Sequence, residues 1–120
     1  MNETLLNYIN SNQLISYMNT TKWKKLINAI ENINPEIRYK IVYDNEPDGF
    51  SLVWWHEILQ ILPQIEWLEI SPIKKTYIGQ LVKDKKIDSS VKIKHILDDK
   101  HITYELVQNN FRIYGYKRAT

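Results

Sequence analysis

The spacing of apolar residues in this chain changes on either side of Pro35. Before the proline, Trp23, Leu26, Ile27, Ile30 and Ile33 fall at i, i+3, i+4, i+7 and i+10, with Lys22, Lys25, Asn28 and Asn32 on the other side. This is the helical period with one buried stripe, and it predicts a helix over 20–33, capped by Asn19 or Thr20 and ended by the proline. After it, Tyr39, Ile41 and Tyr43 alternate with Lys40, Val42 and Asp44, which is the period of a strand. A chain holding both patterns must lay a helix stripe against a sheet face.

The remaining segments extend that pattern. The strand stops at Asn45-Glu46-Pro47-Asp48-Gly49, and 50–55 reads as a second strand returning from that turn. A short helix is expected over 56–62, a strand over 65–70 ended by Pro72, and a short strand over 77–82. Asp88 or Ser89 can cap a helix carrying Ile93, Ile96 and Leu97. Two β-rich runs, 101–108 and 111–117, flank Asn109-Asn110, and asparagine tolerates the positive φ of a two-residue hairpin turn. That register sets Leu106 opposite Ile113 and Glu105 opposite Tyr114, with an apolar face (Ile102, Tyr104, Leu106, Phe111, Ile113) and a polar, aromatic one (Glu105, Arg112, Tyr114, Tyr116). The predicted class is α+β: a mostly antiparallel sheet with helices packed on one side and a C-terminal β-hairpin. Residues 3–17 read as a looser helix rich in Asn and Ser, an N-terminal extension (1–17) ahead of one α+β domain (18–120).

With 120 residues the chain suits one core. It has no cysteine, which removes thiol nucleophiles, disulfides and thiolate metal sites. Residues 4–21 are uncharged but mixed in polarity, so neither a signal peptide nor a membrane span is expected, and the reading is a soluble, cytoplasmic protein with no membrane partner.

Motifs of known chemistry fail on specific positions. Residues 44–49 place carboxylates as a calcium loop does, but the twelfth place, which needs a bidentate glutamate, is Trp55. His56-Glu57 starts like a zinc-protease helix, yet Gln60 stands where the second histidine belongs. His95 and His101 straddle a helix end and a strand. Glu66 and Glu69, three apart on a strand, point to opposite faces and cannot form an acid/base pair. No glycine-rich phosphate loop or nucleophile elbow is present. Neither a cofactor nor a metal is expected, and the chain reads as a non-enzyme.

Charge is more informative. The formal total of +2 conceals a block, residues 41–73, with six acids and no base. The eight lysines of 74–100 stand against four acids. Lys83, Lys85 and Lys86 read as a solvated loop rather than a nucleic-acid patch, because no aromatic residue is interleaved with them. The acidic block also holds Phe50, Trp54, Trp55 and Trp67, a composition suited to a protein interface that steers a basic partner.

Met18-Asn19-Thr20-Thr21-Lys22-Trp23, Ile65-Glu66-Trp67-Leu68-Glu69-Ile70-Ser71-Pro72 and Phe111-Arg112-Ile113-Tyr114-Gly115-Tyr116-Lys117-Arg118 together resemble a family of small bacterial proteins without assigned function, whose members open near N-x-T-K-W and close near F-R-I-x-G-Y. The likeness spans 18–118 and brings no catalytic residues. The chain also resembles, in type and charge, the immunity proteins of polymorphic and contact-dependent toxin systems. That resemblance implies direct binding to a cognate toxin, such as a basic nuclease domain, with acidic residues speeding association. The expected partner surface is Asp44, Glu46, Asp48, Trp54, Glu57, Glu66 and Glu69, joined by Tyr114 and Tyr116. Two alternatives are a nucleic-acid-associated regulator using the lysines of 74–100 with Arg112, Lys117 and Arg118, and a small enzyme around His56 and Glu57.

Overall fold

A computed structural model describes residues 3–44, 46–76 and 85–119. The periodic stripe forms helix α2 (Thr20–Ile30), capped by the Asn19 side chain, which accepts from the Lys22 N–H at 2.8 Å. The helix stops before Ile33, and Asn34 takes a positive φ of 51° ahead of Pro35. The alternating stretch becomes β2 (Ile37–Ile41), after α1 (Glu3–Ser11) and β1 (Leu14–Ser16). Then follow α3 (Trp55–Gln60), a 3₁₀ turn (Leu62–Gln64), β3 (Ile65–Ile70), β4 (Ile73–Thr76) and β5 (Lys85–Asp88). Helix α4 (Ser90–Asp99), β6 (Glu105–Val107), β7 (Asn110–Tyr114) and β8 (Tyr116–Arg118) complete the order. The Asp88 side chain accepts from the Ser90 N–H at 2.8 Å at the start of α4.

The class is α+β, as the spacing predicts. Four strands form an antiparallel sheet in the order β2-β3-β7-β6, while β1 pairs with β8 and β4 with β5. Strand alternation divides the four-stranded sheet into two unlike faces. On one, Ile37–Ile70–Phe111 and Tyr39–Leu68–Ile113 lie in cross-strand rows. They meet Trp23, Leu26, Ile27 and Ile30 of α2, Trp55 and Ile58 of α3, and Ile93 and Leu97 of α4 in one core. Each fully buried Leu or Ile contributes about 1.5–3 kcal/mol. On the other face, Arg38–Glu69–Arg112–Glu105 and Lys40–Trp67–Tyr114 form the rows.

Several expectations shift. Residues 50–55 form no strand: the segment makes a single bridge, Ser51 to Ile37, and then enters α3. Its two tryptophans diverge, Trp55 buried and Trp54 exposed. The 101–108 run reduces to β6, since His101 turns with a φ of 55°. The hairpin turn is Gln108-Asn109, both at positive φ, rather than Asn109-Asn110. Moving the turn by one position moves the pairing by two, so each residue of β6 and β7 keeps its face while Glu105 now opposes Arg112, whereas Tyr116, expected on the polar face, is buried in the second core. The run 111–117 is split at Gly115, where a Cβ would stand 2.1 Å from the Ile65 carbonyl oxygen. The Gly115 N–H donates to the Glu66 carbonyl at 2.7 Å and its carbonyl accepts from the Tyr17 N–H at 2.8 Å. The expected strand over 77–82 lies outside the described residues.

The N-terminal helix is shorter than 3–17 because Gln13 takes a φ of 54°. Leu5 and Ile9 of α1 are buried with Val42 and Tyr116 in a second, smaller core, and the Tyr116 hydroxyl donates to the Pro63 carbonyl at 2.7 Å. No helix among the described residues is long and apolar enough to cross a membrane.

Candidate functional site

Two surfaces of opposite character stand out. The first is the segment between β2 and α3. Trp55 turns inward, and its indole N–H donates to the Asn34 side chain at 3.0 Å, which pins the start of α3. Trp54, one residue earlier in extended backbone, is thereby directed to solvent and is 72% exposed, with Leu52 at 54% beside it in sequence. The His56 ring meets that of Trp54 edge-on, with centroids 6.0 Å apart. Asp44, Glu46, Asp48 and Glu57 are all exposed, and among the described residues none forms an ion pair. Three of these carboxylates lie within electrostatic reach of one hydroxyl. The Tyr39 hydroxyl has its ionisation pushed up first by burial and then by the fields of Asp48, Glu57 and Asp44.

The second surface is the polar sheet face. Glu69 is fully buried, yet its two oxygens accept from two arginines: Oε1 from Arg38 Nε, and Oε2 from Arg112 Nε at 3.1 Å. The guanidiniums also lie over aromatic rings. Arg38 sits 5.1 Å from the Phe50 centroid and 5.6 Å from that of Trp67, and Arg112 sits 4.2 Å from Trp67 and 5.8 Å from Tyr114. Lys117 continues the series at 4.4 Å from Tyr114 and 5.3 Å from Tyr17. The result is an alternation of rings and cations across the sheet: Phe50, Arg38, Trp67, Arg112, Tyr114, Lys117, Tyr17. Burial lowers the proton affinity of Arg112, but hydrogen bonds to Tyr114 and Glu69 outweigh it and raise it overall. Tyr114 donates to Glu105 at 2.7 Å, and burial is the largest cause of its raised pKa.

The residues expected at a partner surface are therefore divided. Asp44, Glu46, Asp48, Trp54 and Glu57 share the first surface. Glu66 is paired with Lys40 at 2.8 Å, Glu69 lies beneath the arginines, Tyr114 is in the ladder, and Tyr116 is buried on the far side of Gly115. Arg38 is not among the residues the sequence points to, and Trp67 enters there only as one of the aromatics of the acidic block. The available signal was parity: Arg38 with Lys40, and Trp67 with Glu69, fall on the non-core positions of their strands, and Arg112 with Tyr114 on those of β7. His56 and Glu57 are both exposed on the first turn of α3. Among the described residues no group of three or more His, Cys, Asp or Glu could hold a metal ion.

Fold and surfaces together define a small α+β protein with helices on one sheet face and a charged, aromatic second face. The chain belongs to a family of unknown function, DUF6678, whose model matches residues 5–120. No curated protein and no solved structure matches the chain.

Proposed function

We propose that the chain is an immunity-type binding protein that acts in the cytoplasm and neutralises a cognate toxin domain by direct contact. The observation that carries this reading is the exposure of Trp54 in a segment that also exposes Asp44, Glu46, Asp48 and Glu57, none of them ion-paired among the described residues. A tryptophan open to water over most of its surface gains nothing for the fold, whereas tryptophan is enriched at the energetic centres of protein interfaces. Leu52 adds apolar area, and Asp44, Glu46, Asp48 and Glu57 form a charged rim suited to a basic partner such as a nuclease.

Binding also accounts for this surface better than catalysis at His56 and Glu57. Both side chains stand in open solvent, where nothing excludes water or strengthens an electrostatic contribution to a reaction. The test is co-expression with the product of the adjacent gene. A stable complex that protects cells, and whose protection is lost on charge reversal at Asp44, Glu46 and Asp48, is the expected result. Absence of a complex, or protection unchanged by the reversal, would refute the assignment.

A further inference from the structure

On the polar sheet face, rings and cations alternate, with Arg38 and Arg112 partly exposed over a buried Trp67. We propose that this ladder is a binding track for the phosphodiester backbone of a single-stranded nucleic acid, independent of the acidic surface. The first support is the state of the guanidiniums. Among the described residues Arg38 donates hydrogen bonds to protein only through its Nε, leaving both terminal nitrogens without a hydrogen-bond partner there, and Arg112 commits one of its two to the Tyr114 hydroxyl at 3.4 Å. Among the described residues no buried side-chain nitrogen or oxygen lacks a partner, so the free terminal nitrogens face water. Glu69 holds both groups from below through Nε, which fixes them before any ligand arrives and leaves their outer donors for phosphate oxygens.

The second support is continuity. At the Lys117 end the ladder opens into a cleft of about 210 Å³ shared by Tyr17, Tyr114, Lys117 and Lys22. Lys22 also lines a second cleft of about 630 Å³ with Lys25, Lys100 and His101. Six cations thus follow one path, against the acids Glu69, Glu105 and Asp99. A line of positive groups across strands tracks a backbone rather than enclosing a small molecule. Tyr17, about half exposed with Lys117 beside its ring, offers open surface for a base to stack on, which a duplex would not supply.

The experiment is fluorescence anisotropy of a labelled oligo-uridine with the full chain, titrated at several salt concentrations. Lys22→Glu and Lys117→Glu are combined, because neither touches Glu69, and their fold is verified by circular dichroism. The expected result is binding that weakens with salt, at least tenfold weaker in the double variant, with the log–log slope reduced by about 1.4 for two lost phosphate contacts. Asp44→Lys with Glu57→Lys should leave oligonucleotide affinity undiminished, which separates this track from the toxin-binding surface. No binding at low salt, an affinity indifferent to Lys22→Glu/Lys117→Glu, or equal affinity for poly-glutamate would overturn the proposal.

Discussion

Glu69 of β3 and Arg112 of β7 stand directly opposite one another, and the buried carboxylate accepts from the guanidinium at 3.1 Å while also holding Arg38 from the other side. Replacing Glu69 by Ala leaves two guanidiniums, each less than a third exposed, without their counter-charge. The expected loss is about 3 kcal/mol, the lower end for a broken buried pair because both arginines reach water. Urea denaturation should show a lowered midpoint with an unchanged slope. A triple replacement of Glu69, Arg38 and Arg112 by Leu and Met should recover much of that loss.

Gly115 is required by a close approach of backbones rather than by a special dihedral angle. In Gly115→Ala the new methyl would meet the Ile65 carbonyl oxygen at 2.1 Å, and that oxygen belongs to the main chain and cannot swing aside. Separating β3 from the β7–β8 junction should cost about 3 kcal/mol or more. Thermal melting compared with Gly49→Ala, where nothing lies within 4 Å, isolates the effect.

Tyr116 ties β8 and the small core to the 3₁₀ turn. Tyr116→Phe removes the donor to the Pro63 carbonyl and should cost about 1–2 kcal/mol. Leu5→Ala, in the same core, should cost about 2–4 kcal/mol if α1 is integral to the folded unit. A Leu5→Ala protein as stable as the parent in urea would show that α1 detaches without consequence.

Much of this architecture can be read from spacing alone. The Trp23 stripe fixes α2, the Ile65–Ile70 run fixes β3, and face parity in the hairpin survives a misplaced turn because a one-position slip of the turn changes pairing by two. What could not be read is non-local. The pairing of Arg38, Glu69 and Arg112 depends on β7 docking beside β3 across more than forty residues of chain, and local period carries no information on strand order. For the same reason the acidic block looked like one surface. Glu66 and Glu69 are as acidic as Asp44 and Asp48, but strand alternation and the basic residues of β2 and β7 remove them from it.

Alkaline pH should reveal the tyrosines. Tyr39, Tyr114 and Tyr116 all have raised pKa values, with burial as the largest cause in each. The unfolded chain releases these protons near the ordinary tyrosine value of about 10, before the folded chain does. Their stabilising contribution is therefore complete below that pH and is lost as pH rises through the folded values. Stability followed in urea should fall steadily above about pH 10, and Tyr39 should titrate at lower pH in Asp48→Asn, which removes one of the charges that hold its proton.

If the segment carrying Trp54 and the exposed carboxylates is a binding surface, calorimetric titration with the product of the adjacent gene reads it out. Trp54→Ala should leave folding stability within about 0.5 kcal/mol, because the side chain is largely in water. It should weaken the complex by about thirtyfold or more, as expected when a hot-spot residue is truncated. An affinity equal to that of the parent, with the protein equally well folded, would show that Trp54 is not part of a binding surface.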